Sequence, residues 1–71
     1  MKPTYYVYEQ REPWLCVKVG RYDNEAEARR HAESNQCMTY LLTWHGVPLP
    51  DEVAGFTVDA PIQIYHRELI R

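Results

Sequence analysis

Seventy-one residues with a net charge of −2 leave room for one small domain. No run approaches the roughly 18 consecutive apolar residues that a membrane span needs, and no partner in a membrane is expected. The acidic balance, with basic residues scattered rather than in a run, counts against broad binding along a phosphate backbone.

A chain this short buries only about 60% of its unfolded surface. The reading is one domain over residues 1–71 that gains stability from a partner. Met1 to Glu9 holds one lysine and a short apolar patch broken by Glu9. That is no export signal, so the expected location is cytoplasmic. On that basis Cys16 and Cys37 read as reduced core thiols.

In chain order, Thr4 to Glu9 is the first predicted strand, with Tyr5 and Val7 on one face and Tyr6 and Tyr8 on the other. Gln10 to Pro13 is polar and ends in proline, which predicts a turn. Trp14 to Val19 is the second strand. Leu15, Val17 and Val19 share one face, and Trp14, Cys16 and Lys18 take the other. The short connection favours a hairpin. Gly20 reads as the end of this strand.

The stretch Tyr22 to Gln36 is the one helix. Asn24 followed by Glu27 has the form of a capping box, with Asp23 as a competing cap. Glu25 and Glu27 suit the first turn, and Glu25 with Arg29 makes an i,i+4 pair. Ala28 and Ala32 share a face. Ser34, Asn35 and Gln36 weaken the end. A face lined by alanine permits close approach to a second layer, so the bulk must come from strands.

Cys37 to Trp44 is the third strand, with Met38, Tyr40, Leu42 and Trp44 on its heavier face. Residues 46–61 hold three of the five prolines and read as a loop, with a brief extended piece from Gly55 to Val58. Ile62 to Leu69 is the last strand. Ile62, Ile64 and His66 share one face, with Tyr65, Arg67 and Leu69 partly on the other. The predicted fold class is α+β. It is a two-layer β-β-α-β-β arrangement, one helix packed on a mostly antiparallel sheet of three or four strands.

No catalytic constellation, metal site or cofactor site is predicted. His31, His45 and His66 with Cys16 and Cys37 lack any close ligand pair. His31 reads as an exposed helix flank. The single serine, Ser34, has no signature around it, and Asp51, Glu52 and Asp59 read as solvated loop carboxylates. The isolated glycines make no phosphate loop.

One helix covers only one face of a sheet, and neither strand face is consistently polar. An aromatic surface rich in Tyr and Trp is what protein interfaces favour. The expected function is therefore a small non-enzymatic interaction or regulatory module. It would use an aromatic sheet face, Tyr6, Tyr8, Trp14, Tyr40 and Trp44, or an edge strand. The expected partner is another protein or a second copy, as in a homodimer. The alternative is a nucleic-acid-binding regulator in which exposed rings stack bases while Arg21, Arg29, Arg30 and Arg67 meet phosphates.

Overall fold

The computed structural model describes residues 2–54 and 66–70. Strands β1 (Thr4–Glu12) and β2 (Leu15–Tyr22) precede helix α1 (Glu25–Ser34). Strands β3 (Thr39–Trp44), β4 (Glu52–Ala54) and β5 (His66–Leu69) follow it. They form one antiparallel sheet in the order β4-β2-β1-β3-β5. The α+β class holds, but the sheet has five strands rather than three or four. The added strand, β4, is three residues long and too short to show an alternation. It lies just before the extended piece expected at Gly55 to Val58. That piece and the first half of the expected last strand, Ile62 to Tyr65, lie outside the described residues.

The first hairpin is longer than its sequence suggests. β1 continues to Glu12, which pairs with Leu15 and leaves Pro13 and Trp14 as a two-residue turn. Proline fixes φ near −65°, which excludes the primed turns that normally match strand twist. No described non-glycine residue has positive φ. The register slips between Gln10 and Glu12, and that bulge absorbs the mismatch.

A second bulge falls where Val7 pairs with Gly20 but Tyr8 pairs with Lys18, leaving Val19 as the extra residue. It resets the side-chain alternation of β2. Lys18 keeps to the face of Cys16, while Gly20 and Tyr22 turn to the helix side beside Val7 and Tyr5. The strand thus runs through Gly20, contrary to the sequence reading. What requires a glycine there is proximity. A Cβ would sit 2.7 Å from His31 Nδ1 and 2.9 Å from a Tyr22 ring carbon. At Gly46 the cause is different. Its φ of +142° is open to few other residues, and its Cα side lies against the Trp44 ring.

The helix starts as its sequence dictates. Asn24 is the cap, with its side chain accepting from the Glu27 amide at 3.1 Å. It ends at Asn35, whose backbone returns to extended geometry. Ala28 and Ala32 are fully buried against Val7 and Leu41, with Tyr5, Val19, Tyr22 and Ile70 at the margin. Arg29 ties the helix to the sheet by bonding both Glu25 and Glu68.

The helix exit is held by a polar knot. Asn35 Nδ2 donates to Glu9 Oε1 at 3.0 Å and to Thr39 Oγ1 at 2.8 Å, and Thr39 Oγ1 donates to the Cys37 carbonyl. Arg11 Nε bonds the other Glu9 oxygen at 2.7 Å. The hydrogen bond from Arg11, followed by that from Asn35, holds the Glu9 carboxyl below its ordinary value and outweighs its partial burial. A carboxyl lowered by folding stabilises the fold above its unfolded pKa, and that gain is lost as pH falls through the folded value. Glu9→Gln is therefore expected to lower stability near neutral pH and to flatten the acid limb of a stability-versus-pH curve. An unchanged acid limb in urea titrations would show that the knot does not couple to folding.

Candidate interaction surface

The sheet face opposite the helix carries the larger core. Tyr6, Tyr8, Cys16, Tyr40, Leu42 and Leu49 form one buried cluster, with Trp44 and Val53 packed on it. Its rings come from alternate positions of β1 and β3, so the face assignment made from alternation holds. Leu49 comes from the proline-containing segment Val47 to Asp51, which lies across this face as a strap.

The strap is fastened by polar groups that the aromatic face supplies. Tyr8 Oη donates to the Pro50 carbonyl. Tyr6 Oη accepts from the Leu49 amide at 3.4 Å. Lys18 Nζ lies 5.5 Å from the Tyr6 ring centroid, donates to the Leu49 carbonyl at 2.9 Å and sits 3.3 Å from Asp51. The Lys18 amide donates to the Asp51 carbonyl, leading into β4. At the strap's start, Trp44 Nε1 donates to the Val47 carbonyl at 2.8 Å.

The five rings expected to form an interaction surface are thus divided. Tyr6, Tyr8 and Tyr40 are buried. Trp44 is half-buried and bonded to the strap. Only Trp14, at 69% exposure, stands open. A sequence shows that a face is aromatic; it does not show that a proline-rich segment closes over it.

On the strap itself Val47 is exposed, and the hairpin end of that face is open as well. Met38 is 49% exposed and Leu69 56%. Leu69 is paired with Tyr40, and Met38 sits where β3 would extend, its carbonyl accepting from the Gln10 amide. Tyr40 Oη lies 3.4 Å from Gln10 Oε1 and 3.6 Å from Met38 Sδ. Burial pushes the Tyr40 phenol above its ordinary pKa, so it stays a neutral donor here. Arg67 sits 5.9 Å from the Tyr40 ring centroid. Gln10 Nε2 reaches the Pro13 carbonyl, which places the turn bearing Trp14 beside the same patch. Met38 and Leu69 were not singled out from sequence. Their only signal is an apolar residue at the last position of a strand face.

Elsewhere the chemistry is sparse. Beside the helix, Tyr22, Glu27, Arg30, His31 and Ser34 line an open groove of about 530 Å³. His31 is half-buried rather than an exposed flank, with Nδ1 2.9 Å from Tyr22 Oη. Ser34 Oγ donates to the His31 carbonyl rather than to its ring. Cys16 is buried, as expected, but Cys37 is exposed in the bend before β3, and neither is in a disulfide. Among the described residues no three His, Cys, Asp or Glu side chains gather as a metal would need. No helix among them is long and apolar enough to cross a membrane.

Comparison with protein-family models, with curated proteins and with solved structures finds no match.

Proposed function

We propose that this chain is a small non-enzymatic protein-interaction module, and that its contact surface is the hairpin end of the sheet around Trp14, Met38 and Leu69. The observation that carries this reading is that three of the four large apolar side chains exposed among the described residues, Trp14, Met38 and Leu69, lie toward the hairpin end of the sheet, the fourth being Val47 on the strap. Isolated apolar residues on a surface are ordinary, whereas several in one region of a sheet suit a partner. Trp and Met are among the residues that interfaces concentrate, and a buried Trp is a frequent energetic anchor.

The buried tyrosines support the contact indirectly, by fixing the floor of the patch. The nucleic-acid reading draws less from the geometry. Arg29 is held by two carboxylates, and Tyr6, Tyr8 and Tyr40 have no open face for a base.

The test is capture of a partner from native lysate with and without nuclease, followed by titration of that partner. Trp14→Ser and Met38→Ser are expected to weaken binding at least tenfold each, as hot-spot truncations do, with little change in melting temperature. Nuclease-sensitive recovery that is indifferent to these substitutions would overturn the reading.

A further inference from the structure

We infer that the tyrosine face beneath the strap is a site for a proline-containing segment of another protein, a Pro-Leu-Pro stretch followed by an acidic residue, and that the strap occupies this site within its own chain. The inference concerns the covered face rather than the open hairpin end, and stands independently of the reading above.

The strap is built as such a segment. Val47-Pro48-Leu49-Pro50 carries a proline at every second position. Each proline fixes its own φ near −65° and holds the residue before it in extended geometry. The stretch is therefore preordered toward polyproline II, which has no internal hydrogen bonds and leaves its carbonyls free to accept. No helix or strand includes any residue from His45 to Asp51. Pro48 and Pro50 are exposed, so they shape the strap rather than fill the face.

Three strands read that shape through side-chain donors. Trp44 Nε1 on β3 donates to the Val47 carbonyl, Lys18 Nζ on β2 to the Leu49 carbonyl, and Tyr8 Oη on β1 to the Pro50 carbonyl. Tyr6 Oη accepts from the Leu49 amide, the one N–H between the two prolines. Leu49 is the single strap side chain that is buried, in the cluster with Tyr6, Tyr8, Tyr40 and Leu42. Aromatic-lined grooves bind proline-rich peptides by exploiting this preformed, low-entropy shape. Contacts to main-chain groups and one leucine do not depend on which chain supplies them. Asp51, 3.3 Å from Lys18 Nζ, adds the acidic preference, a weak one because the carboxylate is exposed.

Within one chain the strap acts at an effective concentration in the millimolar range. A partner segment binds only molecules whose strap is open, and its apparent affinity falls by that fraction. The strap is thus an autoinhibitory contact.

The test uses a peptide of residues 46–53, capped at both ends, and labelling of Cys16 in a Cys37→Ser background. Cys16 shares the Leu49 cluster, so a peptide seated on the face should slow its labelling. Half-protection is expected in the millimolar range, where the peptide competes with an intact strap. Adding Leu49→Ala weakens the strap but not the peptide, and should lower that concentration about 30-fold. The same peptide with alanine in place of its leucine should need at least tenfold more. Pro48→Gly is the second variant. Its site is exposed, so it loosens the strap through the entropy of the open state, leaves the core intact and should lower the concentration about two- to fivefold. It carries the test if Leu49→Ala does not fold. Labelling indifferent to the peptide up to about 5 mM in all three chains, or slowed equally by both peptides, overturns the inference.

Discussion

Ala28→Leu is expected to lower the melting temperature by roughly 5–20 °C. Ala28 is fully buried where the helix meets Val7 and Leu41. The helix lies this close to the sheet because its contact face carries only methyl groups. Three added carbons have no space to enter, so either the helix lifts or Leu41 leaves its rotamer. Overpacking of this kind costs about 1–3 kcal/mol. For a chain whose whole stability is on the order of 4–10 kcal/mol, that is a large fraction. Lifting the helix also pulls on Arg29 and Asn35, which bond the sheet on either side of the contact. Ala26→Leu is the control, since Ala26, two residues away, is exposed on the far side of the helix and should tolerate the change. Equal melting temperatures for both variants would show that the helix rests on the sheet through other residues.

The features legible in the sequence were those set by neighbours along the chain. Asn24 with Glu27 announced the helix start, because capping is a contact between residues three apart. Alternation in Thr4 to Glu9 and in Cys37 to Trp44 assigned both faces of the central strands correctly, although the third strand starts at Thr39 rather than Cys37. The misreadings came from contacts between residues far apart. Val19 looks like any apolar strand residue. It becomes a bulge because Tyr22 must turn toward the helix, and Gly20 reads as a strand end until His31 is seen 2.7 Å from its missing Cβ. β4 is a strand only because β2 offers it an edge. The candidate surface shifted for the same reason. Tyr6 and Tyr8 look like an interface until Leu49 and Pro50, more than forty residues away in the chain, are laid over them.

That strap carries the second large effect. Leu49→Ala is expected to cost about 2–3 kcal/mol, the lower part of the range for buried leucines, because a surface segment can settle partly into the space. The more informative readout is local. Leu49 is the strap's one buried side chain, and it shares a cluster with Cys16. If Leu49 holds the strap shut, the loss falls on strap opening. Two kcal/mol there raises the open population about 30-fold. In a Cys37→Ser background, labelling of Cys16 should then accelerate by that factor under native conditions. Lys18→Met separates the apolar fastening from the polar one. It keeps the aliphatic stem over Tyr6 but removes the contacts to the Leu49 carbonyl and Asp51. Asp51 is largely exposed, so that ion pair contributes at most about 1 kcal/mol, or no more than about fivefold in Cys16 labelling, and any larger rise measures the bond to the Leu49 carbonyl. The opposite ranking, with Lys18→Met exposing Cys16 faster than Leu49→Ala, would mean that the strap is held by its charges. The tyrosine face would then open with rising salt, and the aromatic surface would become available to a partner under ionic control.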